Sequence, residues 1–283
     1  MGEVQSIDIG ALRQAIGRET TAADIVTPHL CVSLQATLDK DVLALKEGDI
    51  APLAIHWCVA QPAMAMRGLG PDGHPTKGAF LPAVPLPRRM WAGGQLDLCD
   101  TIRVGDLVER RSRVEDVNLK EGRTGPLCFV TVRHEILTSR GIAIEERQDI
   151  VYRAPEKTAA TPQKPAETVR QAQTSRTIMA DPVLLFRYSA LTFNGHRIHY
   201  DRDYATSEEG YPGLVVHGPL QATLLIALAE ELRGTPKRFE FRGLSPLFDG
   251  AEFTVNAAPS PDGLDLWVAD RNGRQTMTAT ANW

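Results

Sequence analysis

Cysteine is scarce in this sequence, and the cysteines present do not pair in a metal-binding spacing. The four cysteines lie far apart without a C-x-x-C motif; they are Cys31, Cys58, Cys99 and Cys128. This spacing argues against a zinc knuckle and against a disulfide framework. Free buried thiols in a reducing compartment are therefore expected.

The sequence also lacks a long hydrophobic run. Its longest apolar stretch, 220–229, stops at Glu230-Glu231 and is too short to cross a bilayer. The opening residues, MGEVQSIDIG, have neither the basic flank nor the apolar core of a signal peptide. We therefore predict a cytoplasmic protein that does not associate with membranes.

Runs of like charge and glycine-rich phosphate-binding motifs are missing as well. The formal net charge of −4 gives no reason to expect a nucleic-acid partner. Without a dinucleotide fingerprint there is no signal for a redox nucleotide, and no cofactor is expected. Apolar residues make up 43% and charged residues 23%, as in an ordinary globular protein.

The order of elements along the chain indicates an internal repeat. The pentapeptide LQATL occurs at 34–38 and again at 220–224, each time in a helix-like apolar segment. Strand-like runs follow each copy; they cover 104–108, 127–137 and 142–153 in the first half, and 249–253, 264–269 and 275–283 in the second. A duplicated domain is the interpretation that this order favours.

One long segment interrupts the first copy. Residues 61–94 are rich in proline and glycine, which predicts a surface loop rather than regular structure. The loop also carries apolar side chains such as Met90 and Trp91, so we expect it to cover a substrate site. The polar, proline- and alanine-rich stretch 154–168 is predicted to link the two halves.

The second helix is apolar on nearly every side, which is typical of a helix enclosed by the rest of the protein. Pro219 suits its first turn, and Pro261-Asp262-Gly263 and Arg271-Asn272-Gly273 predict hairpin turns between the strands that follow. A buried helix wrapped by an antiparallel sheet is a hot-dog fold. We therefore predict an α+β double hot dog with a first domain at 1–153, a linker at 154–168 and a second domain at 169–283.

A cluster of histidines marks the candidate site. Three of the seven histidines, His196, His199 and His217, lie close together in the sequence, beside Asn194 and just before the apolar helix. Imidazole titrates nearest to physiological pH and is the usual proton carrier in acid–base chemistry.

The segment YSALTFNGHRIHYDRDYA resembles the signature of the MaoC-like (R)-specific enoyl hydratase/dehydratase family. The matching positions are Tyr188, Leu191, Thr192, Ile198, His199 and Ala205, followed by His217-Gly218 at the start of the helix. The chain departs from the signature at Phe193, Asn194, His196 and Arg197, and Asn194 stands where the family has a catalytic Asp. The altered motif FNGHRIHYD is similar to a branch that includes mesaconyl-C4-CoA hydratases, itaconyl-CoA hydratases and a mitochondrial 3-hydroxyacyl-ACP dehydratase.

The resemblance implies reversible hydration and dehydration of a short acyl thioester, with acyl-CoA as the substrate and a homodimer as the assembly. The catalyst would belong to the second half, while the first half would shape the acyl tunnel. Three alternatives remain open at this point: a 3-hydroxyacyl-ACP dehydratase, a hot-dog thioesterase, and an inactive acyl-CoA-binding subunit.

The chemistry assigns a role to each candidate residue. His199 can take a proton from water and return it at Cα, and the Asn194 amide can hold the water. The N–H of Gly218, at a helix N-terminus, can bind the developing oxyanion. The alternative interpretations are that Asn194 caps a turn and that Gly218 serves close packing, while His217 is interpreted as a structural residue at the helix entry.

Other polar residues are assigned with less support from the motif. Three residues are candidates for binding substrate: His196, Trp91 and Arg242. The alternative role of His196 is to orient Asn194 or His199 by hydrogen bonding. The pair His196 and His199 has the spacing of two metal ligands, but no third ligand follows at motif spacing. No metal is therefore predicted.

Overall fold

In the computed structural model, which describes residues 7–122, 125–154 and 170–283, the first half of the chain forms two α-helices and five strands. In chain order they are α1 (Ile9–Arg13), β1 (Glu19–Ile25), α2 (Pro28–Thr37), β2 (Arg88–Leu98), β3 (Leu107–Gly122), β4 (Gly125–Thr138) and β5 (Gly141–Arg153). The described part of the second half continues with β6 (Thr174–Met179), α3 (Pro182–Leu191), α4 (Gly218–Arg233), β7 (Arg238–Gly243), β8 (Glu252–Ser260), β9 (Gly263–Asp270) and β10 (Gln275–Asn282).

All these strands join one antiparallel sheet whose order repeats between the halves. The order is β1-β3-β4-β5-β2-β7-β10-β9-β8-β6. From each outer edge to the centre of the sheet, the strands of a half follow the same order: its first, third, fourth, fifth and second strand. The halves meet where β2 pairs with β7, with Gly94 opposite Phe241. This symmetry supports the predicted repeat and the double hot-dog arrangement.

Helix α4 is the central helix that the apolar pattern predicted. It packs against β2 and β7–β10, and it buries residues on every side, including Leu220, Leu225 and Ile226. Burying a leucine-sized side chain contributes roughly 1.5–3 kcal/mol relative to leaving it exposed. The helix ends at Gly234, whose φ of 76° suits a residue without a Cβ.

The two copies of LQATL lie in helices that do not occupy equivalent positions in the two halves. Helix α2 follows β1 as α3 follows β6, and both begin with a proline after an N-cap side chain, Thr27 in α2 and Asp181 in α3. The first copy of LQATL therefore lies in the counterpart of α3, whereas the second lies in α4. In the region between α2 and β2, where α4 would have its counterpart and which the structure describes throughout, the first half has two short 3₁₀ turns, Ile55–Trp57 and Met66–Gly68, and no α-helix.

The segment 61–94 is only partly a loop. Residues 61–87 contain one 3₁₀ turn, Met66–Gly68, and neither strand nor α-helix, as the proline and glycine content predicted. Residues 88–94 instead belong to β2: residues 88–91 pair with β5, and Gly93 and Gly94 pair with β5 on one side and β7 on the other. The prediction of irregular structure was wrong for this part.

The predicted linker at 154–168 lies almost wholly outside the described residues, and the domain boundaries stay a prediction. The strands predicted at 127–137, 142–153, 264–269 and 275–283 agree well with β4, β5, β9 and β10, whereas those predicted at 104–108 and 249–253 overlap β3 and β8 by only two residues each. None of the described helices is long and apolar enough to span a membrane.

Candidate active site

His199 lies on the 3₁₀ turn Arg197–His199, ahead of the central helix. Its Nδ1 donates a hydrogen bond to the Val215 carbonyl at 2.7 Å, which leaves Nε2 with the lone pair in the neutral ring. Burial lowers the pKa of His199 to about 4, although the hydrogen bond to Val215 acts in the opposite direction. The imidazole is therefore neutral near pH 7 and able to accept a proton.

A set of local contacts fixes the segment that carries His199. The backbone N–H of Val215 donates to the Ile198 carbonyl at 2.9 Å, tying the turn to the approach to α4. Arg197 pairs with Asp201 at 2.7 Å, and the Asp201 N–H donates to the Arg197 carbonyl at 2.8 Å. The turn is thus held at both ends, which limits the positions that the His199 ring can take.

Asn194 forms the turn that leads into the histidines. Its Oδ1 accepts a hydrogen bond from the His196 N–H at 3.0 Å, and its own N–H donates to the Ser189 carbonyl at 2.8 Å. The preceding residue, Phe193, has a φ of 49°. The turn-forming interpretation of Asn194 is therefore correct for its oxygen, while its NH₂ group is still able to donate to a water or a substrate.

His217 lies directly against His199. The two rings stack with centroids 3.7 Å apart and planes inclined by 20°. His217 Nε2 hydrogen-bonds the Ser189 hydroxyl at 2.8 Å, and burial lowers its pKa well below the usual range. Sequence reasoning placed His217 only at the helix entry; the structure adds a ring contact with the predicted acid–base residue.

Tyr188 contacts His217 and the central helix. Its hydroxyl hydrogen-bonds the Thr223 hydroxyl at 3.0 Å in the interior, which ties α3 to α4. Its ring meets that of His217 edge-on, with centroids 5.2 Å apart. The tyrosine of the motif therefore positions His217.

Gly218 begins α4, and Trp91 of β2 covers it. A Cβ built on Gly218 would lie 3.1 Å from Cε3 of Trp91, so the glycine allows the indole to approach closely. The Gly218 N–H is in the first helical turn, where backbone N–H groups have no partner within the helix. Among the described residues, the buried Nε1 of Trp91 has no hydrogen-bond partner either. Polar hydrogens from both halves are thus available beside the helix start.

Arg242, the arginine predicted to bind substrate, and two other arginines differ in position. Arg242 is exposed on β7, whose buried side chains are Phe239 and Phe241, so the structure does not bring it to the histidines. Arg187 is exposed on α3, and Arg88 pairs with Glu209 at 3.2 Å.

Arg89, on β2, acts electrostatically on two of the histidines, His74 and His196. It lies two residues before Trp91 on β2, where side chains share a face. Burial lowers the pKa of His196, and the charges of His74, His199 and Arg89 act in the same direction. Arg89 is therefore close enough to the cluster for its charge to affect the imidazoles.

Sequence reasoning missed the contribution of the first-half loop to this cluster. The His74 ring lies 4.2 Å from that of His196, and the His196 ring lies 5.3 Å from that of His199 at a right angle. One ligand atom each of Asp72, His74 and His196 lies within 4.8 Å of the others, so this triad has the residue types of a metal site. The sequence Asp-Gly-His in a loop expected to cover the site was the available signal.

A second group of buried polar residues lies in the first half. Trp57 donates from Nε1 to Glu146 Oε1 at 3.0 Å, and Glu146 Oε2 lies 3.9 Å from His56 Nε2. Burial and the charge of Arg110 lower the pKa of His56 to about 3. The Trp57 ring meets Trp91 edge-on at 5.5 Å, so this group packs behind the indole that covers Gly218.

The fold and site define a double hot-dog protein with a histidine cluster at its central helix. Solved structures share the fold: HtdX of Mycobacterium tuberculosis has a TM-score of 0.66 and 20% identity, covering 93% of this chain and 98% of that one. A MaoC-like dehydratase from Phytophthora capsici has a TM-score of 0.70 and 13% identity, covering 98% and 99%. Another M. tuberculosis protein, with a TM-score of 0.59, is described as a double hot dog.

Sequence comparisons define the family. The hydroxyacyl-thioester dehydratase type 2 family matches residues 54–249, and the chain belongs to it. The mesaconyl-C(4)-CoA hydratase of Chloroflexus aurantiacus is 43% identical over 268 residues, covering 94% of this chain and 95% of that protein. The mitochondrial hydroxyacyl-thioester dehydratase type 2 of Schizosaccharomyces pombe is 30% identical, covering 78% and 79%.

Proposed function

We propose that this protein is a hydro-lyase that hydrates and dehydrates a short acyl-CoA thioester of the mesaconyl type. The observation that carries the proposal is the neutral His199, whose Nδ1–H is held by Val215 at 2.7 Å so that Nε2 is the proton acceptor. The 43% identity to a mesaconyl-C(4)-CoA hydratase across nearly the whole chain supports the same chemistry.

The reaction needs one proton carrier. In the hydration direction His199 Nε2 takes a proton from water as the water oxygen bonds to Cβ of the double bond. The thioester becomes an enolate, and the imidazolium then returns the proton to Cα, so that water is added and the ring is neutral again. Such general acid–base catalysis typically contributes about 10²–10⁴ in rate.

The start of α4 would stabilise the enolate. The N–H of Gly218 points from a helix N-terminus, where the helix dipole and the unpaired donor both favour an oxyanion. In this role Asn194 would hold the attacking water through its NH₂ group, since its oxygen accepts from the His196 N–H. His196 and Trp91 would line the acyl site.

A mesaconyl-type acyl group carries a free carboxylate, and Arg89 is the proposed cation for it. Arg89 shares a strand face with Trp91, and its charge affects both His74 and His196. Arg242, on the outward side of β7, would serve less well. The loop 61–87 would then act as the cover of the acyl site.

We also propose a homodimer. Ile25 and Phe186 are exposed by 53% and 63% and line one groove between α2 and α3. Exposed apolar residues that share a groove favour association with another surface. Light scattering at several protein concentrations would measure the assembly. The cytoplasmic location stays a prediction.

The test of the reaction is a panel of enoyl-CoA and enoyl-ACP thioesters, with absorbance of the conjugated thioester and free thiol measured in parallel. We expect loss of the conjugated absorbance with no thiol released, and faster turnover on a CoA thioester with a terminal carboxylate. Release of thiol would instead identify a thioesterase, preference for the ACP substrates a carrier-protein dehydratase, and binding without turnover an inactive acyl-CoA-binding subunit.

A further inference from the structure

The loop of the first half meets the histidine turn through backbone contacts. A Cβ on Gly73 would lie 1.9 Å from the Gly195 carbonyl oxygen. The Arg197 N–H donates to the Asp72 carbonyl at 2.9 Å, and its side chain donates to the Pro71 carbonyl at 3.0 Å. The contact of Gly73 with Gly195 and the hydrogen bond from the Arg197 N–H involve backbone atoms, so they fix the two segments relative to each other.

Asp72 and His74 form a hydrogen-bonded pair at this contact. Asp72 Oδ1 accepts from the His74 backbone N–H at 3.0 Å, and Oδ2 lies 3.1 Å from His74 Nδ1. The side chains are 26% and 18% exposed. A carboxylate beside Nδ1 holds the proton there, so the neutral His74 ring keeps its lone pair on Nε2.

The charge states are consistent with a carboxylate and a neutral ring. Burial raises the pKa of Asp72, but the hydrogen bonds and charge of His74, together with Arg89, bring it below the usual range. Burial lowers the pKa of His74, and Arg89 and Lys77 add to this, while Asp72 opposes it. The pair also interacts electrostatically with other titratable groups of both halves, which are His196, His199, Tyr152 and Tyr204.

We propose that Asp72 and His74 are positioning residues of the active site, supplied by the first half to orient His196 beside His199. In the second half the position that begins the histidine turn, Asn194, has no charge, and Asp201 is paired with Arg197. Asp72, from the first half, therefore supplies the carboxylate that lies beside His74 and His196. The inference rests on the proposed function for its kinetic test.

The kinetic test compares Asp72→Asn and His74→Gln with Thr76→Ala, an exposed position on the same loop. We expect turnover to fall by at least about 10-fold in the first two, as for loss of a group that orients a catalytic imidazole. The KM should change less than about threefold, and Thr76→Ala should behave as the parent protein. Folded Asp72→Asn and His74→Gln proteins with parental turnover would overturn the proposal.

A second-site variant distinguishes positioning from simple support of the fold. Asn194→Asp places a carboxylate at the start of the same turn, so it should restore part of the turnover lost in Asp72→Asn. The effects of the two substitutions should therefore be non-additive, as expected for groups that serve one network. Additive effects would contradict the proposal. Loss of activity on chelation, with recovery on adding Zn²⁺, would also contradict it, because the triad would then be a metal site.

Imidazole titration by NMR tests the pair without any turnover. In Asp72→Asn the pKa of His74 should fall, because a negative charge that favours its protonated form is removed. Thr76→Ala should leave it unchanged. If the parent protein hydrates no thioester, the proposed function fails, and this titration still decides the inference: an unchanged His74 titration would overturn it.

Discussion

His217 stacks on His199 with the ring centroids 3.7 Å apart. Because both rings are buried, a proton on one makes protonation of the other less favourable. The Val215 carbonyl holds the proton of His199 on Nδ1, and the Ser189 hydroxyl contacts Nε2 of His217. The stack therefore disfavours a second positive charge, so that at most one of the two rings is an imidazolium at any time.

Replacing His199 tests the proton carrier. His199→Ala should lower turnover by at least about 10²-fold, the contribution expected of a general acid–base group. His29→Ala provides the control, because His29 is exposed on α2. Steady-state kinetics and circular dichroism on both variants would decide the matter, and a folded His199→Ala protein with most of its activity would exclude the role.

Replacing Asn194 separates its turn contact from its proposed water contact. Asn194→Asp keeps an oxygen for the His196 N–H and should keep appreciable activity, with an added acidic limb in the pH–rate profile because a titrating group has entered. Asn194→Ala removes both contacts and should be more damaging. The reverse order of activities would show that the amide does not hold the water.

The contact between Gly218 and Trp91 predicts a compensating pair. Gly218→Ala puts a methyl group 3.1 Å from the indole, which should cost about 1–3 kcal/mol through overpacking and lower turnover by displacing the helix start. Trp91→Phe should relieve this in the double variant. Melting temperatures and turnover of the four proteins in the cycle measure the coupling, which additive effects would disprove.

The loop contact predicts a difference between two glycines. Gly73→Ala drives a Cβ into the Gly195 carbonyl at 1.9 Å, whereas Gly78→Ala meets only Ala83 at 3.5 Å. Both glycines have positive φ values, 85° and 107°, so an alanine would be strained in the backbone at either position. The value of kcat/KM should fall by at least about 10-fold for Gly73→Ala only. Equal losses would trace the effect to backbone strain.

Buried neutral histidines predict a loss of stability in acid. His56 has a pKa lowered to about 3 by burial and by Arg110, below the unfolded value of about 6.5. As pH falls below about 6.5 the unfolded chain binds the proton first, so the free energy of unfolding declines until the folded pKa is reached. His56→Met should reduce this decline by at most about 1.4 kcal/mol per pH unit, and the exposed His29→Gln should not. Urea titrations between pH 7.5 and pH 5 measure it.

The strands and the central helix were predictable because their patterns are local. The alternation in β3–β5 and β8–β10, and the apolar surface of α4, follow from the periods of strand and helix. The LQATL match was misleading because five residues can recur in α2 and α4 without structural equivalence. Residues 88–94 were misread because their glycines suit a strand whose neighbours approach closely.

The part of the candidate site that one sequence motif contains was predictable. Asn194, His196, His199 and Gly218 are close in the sequence, and they are close in the structure. His74 comes from a loop of the other half, and its contact with His196 depends on how the halves fold together. The orientation of Arg89 and Arg242 also depends on strand register, which the sequence did not specify.

The repeated strand order has a consequence for the number of ligands that each chain binds. The repeat offers two related positions, one at the start of α4 and one at the turn Ile55–Trp57. The histidine turn accompanies the first, whereas Trp57 and the Glu146 carboxylate fill the second. Each chain should thus bind one acyl thioester, and a titration should end at one ligand per 283 residues rather than one per repeat.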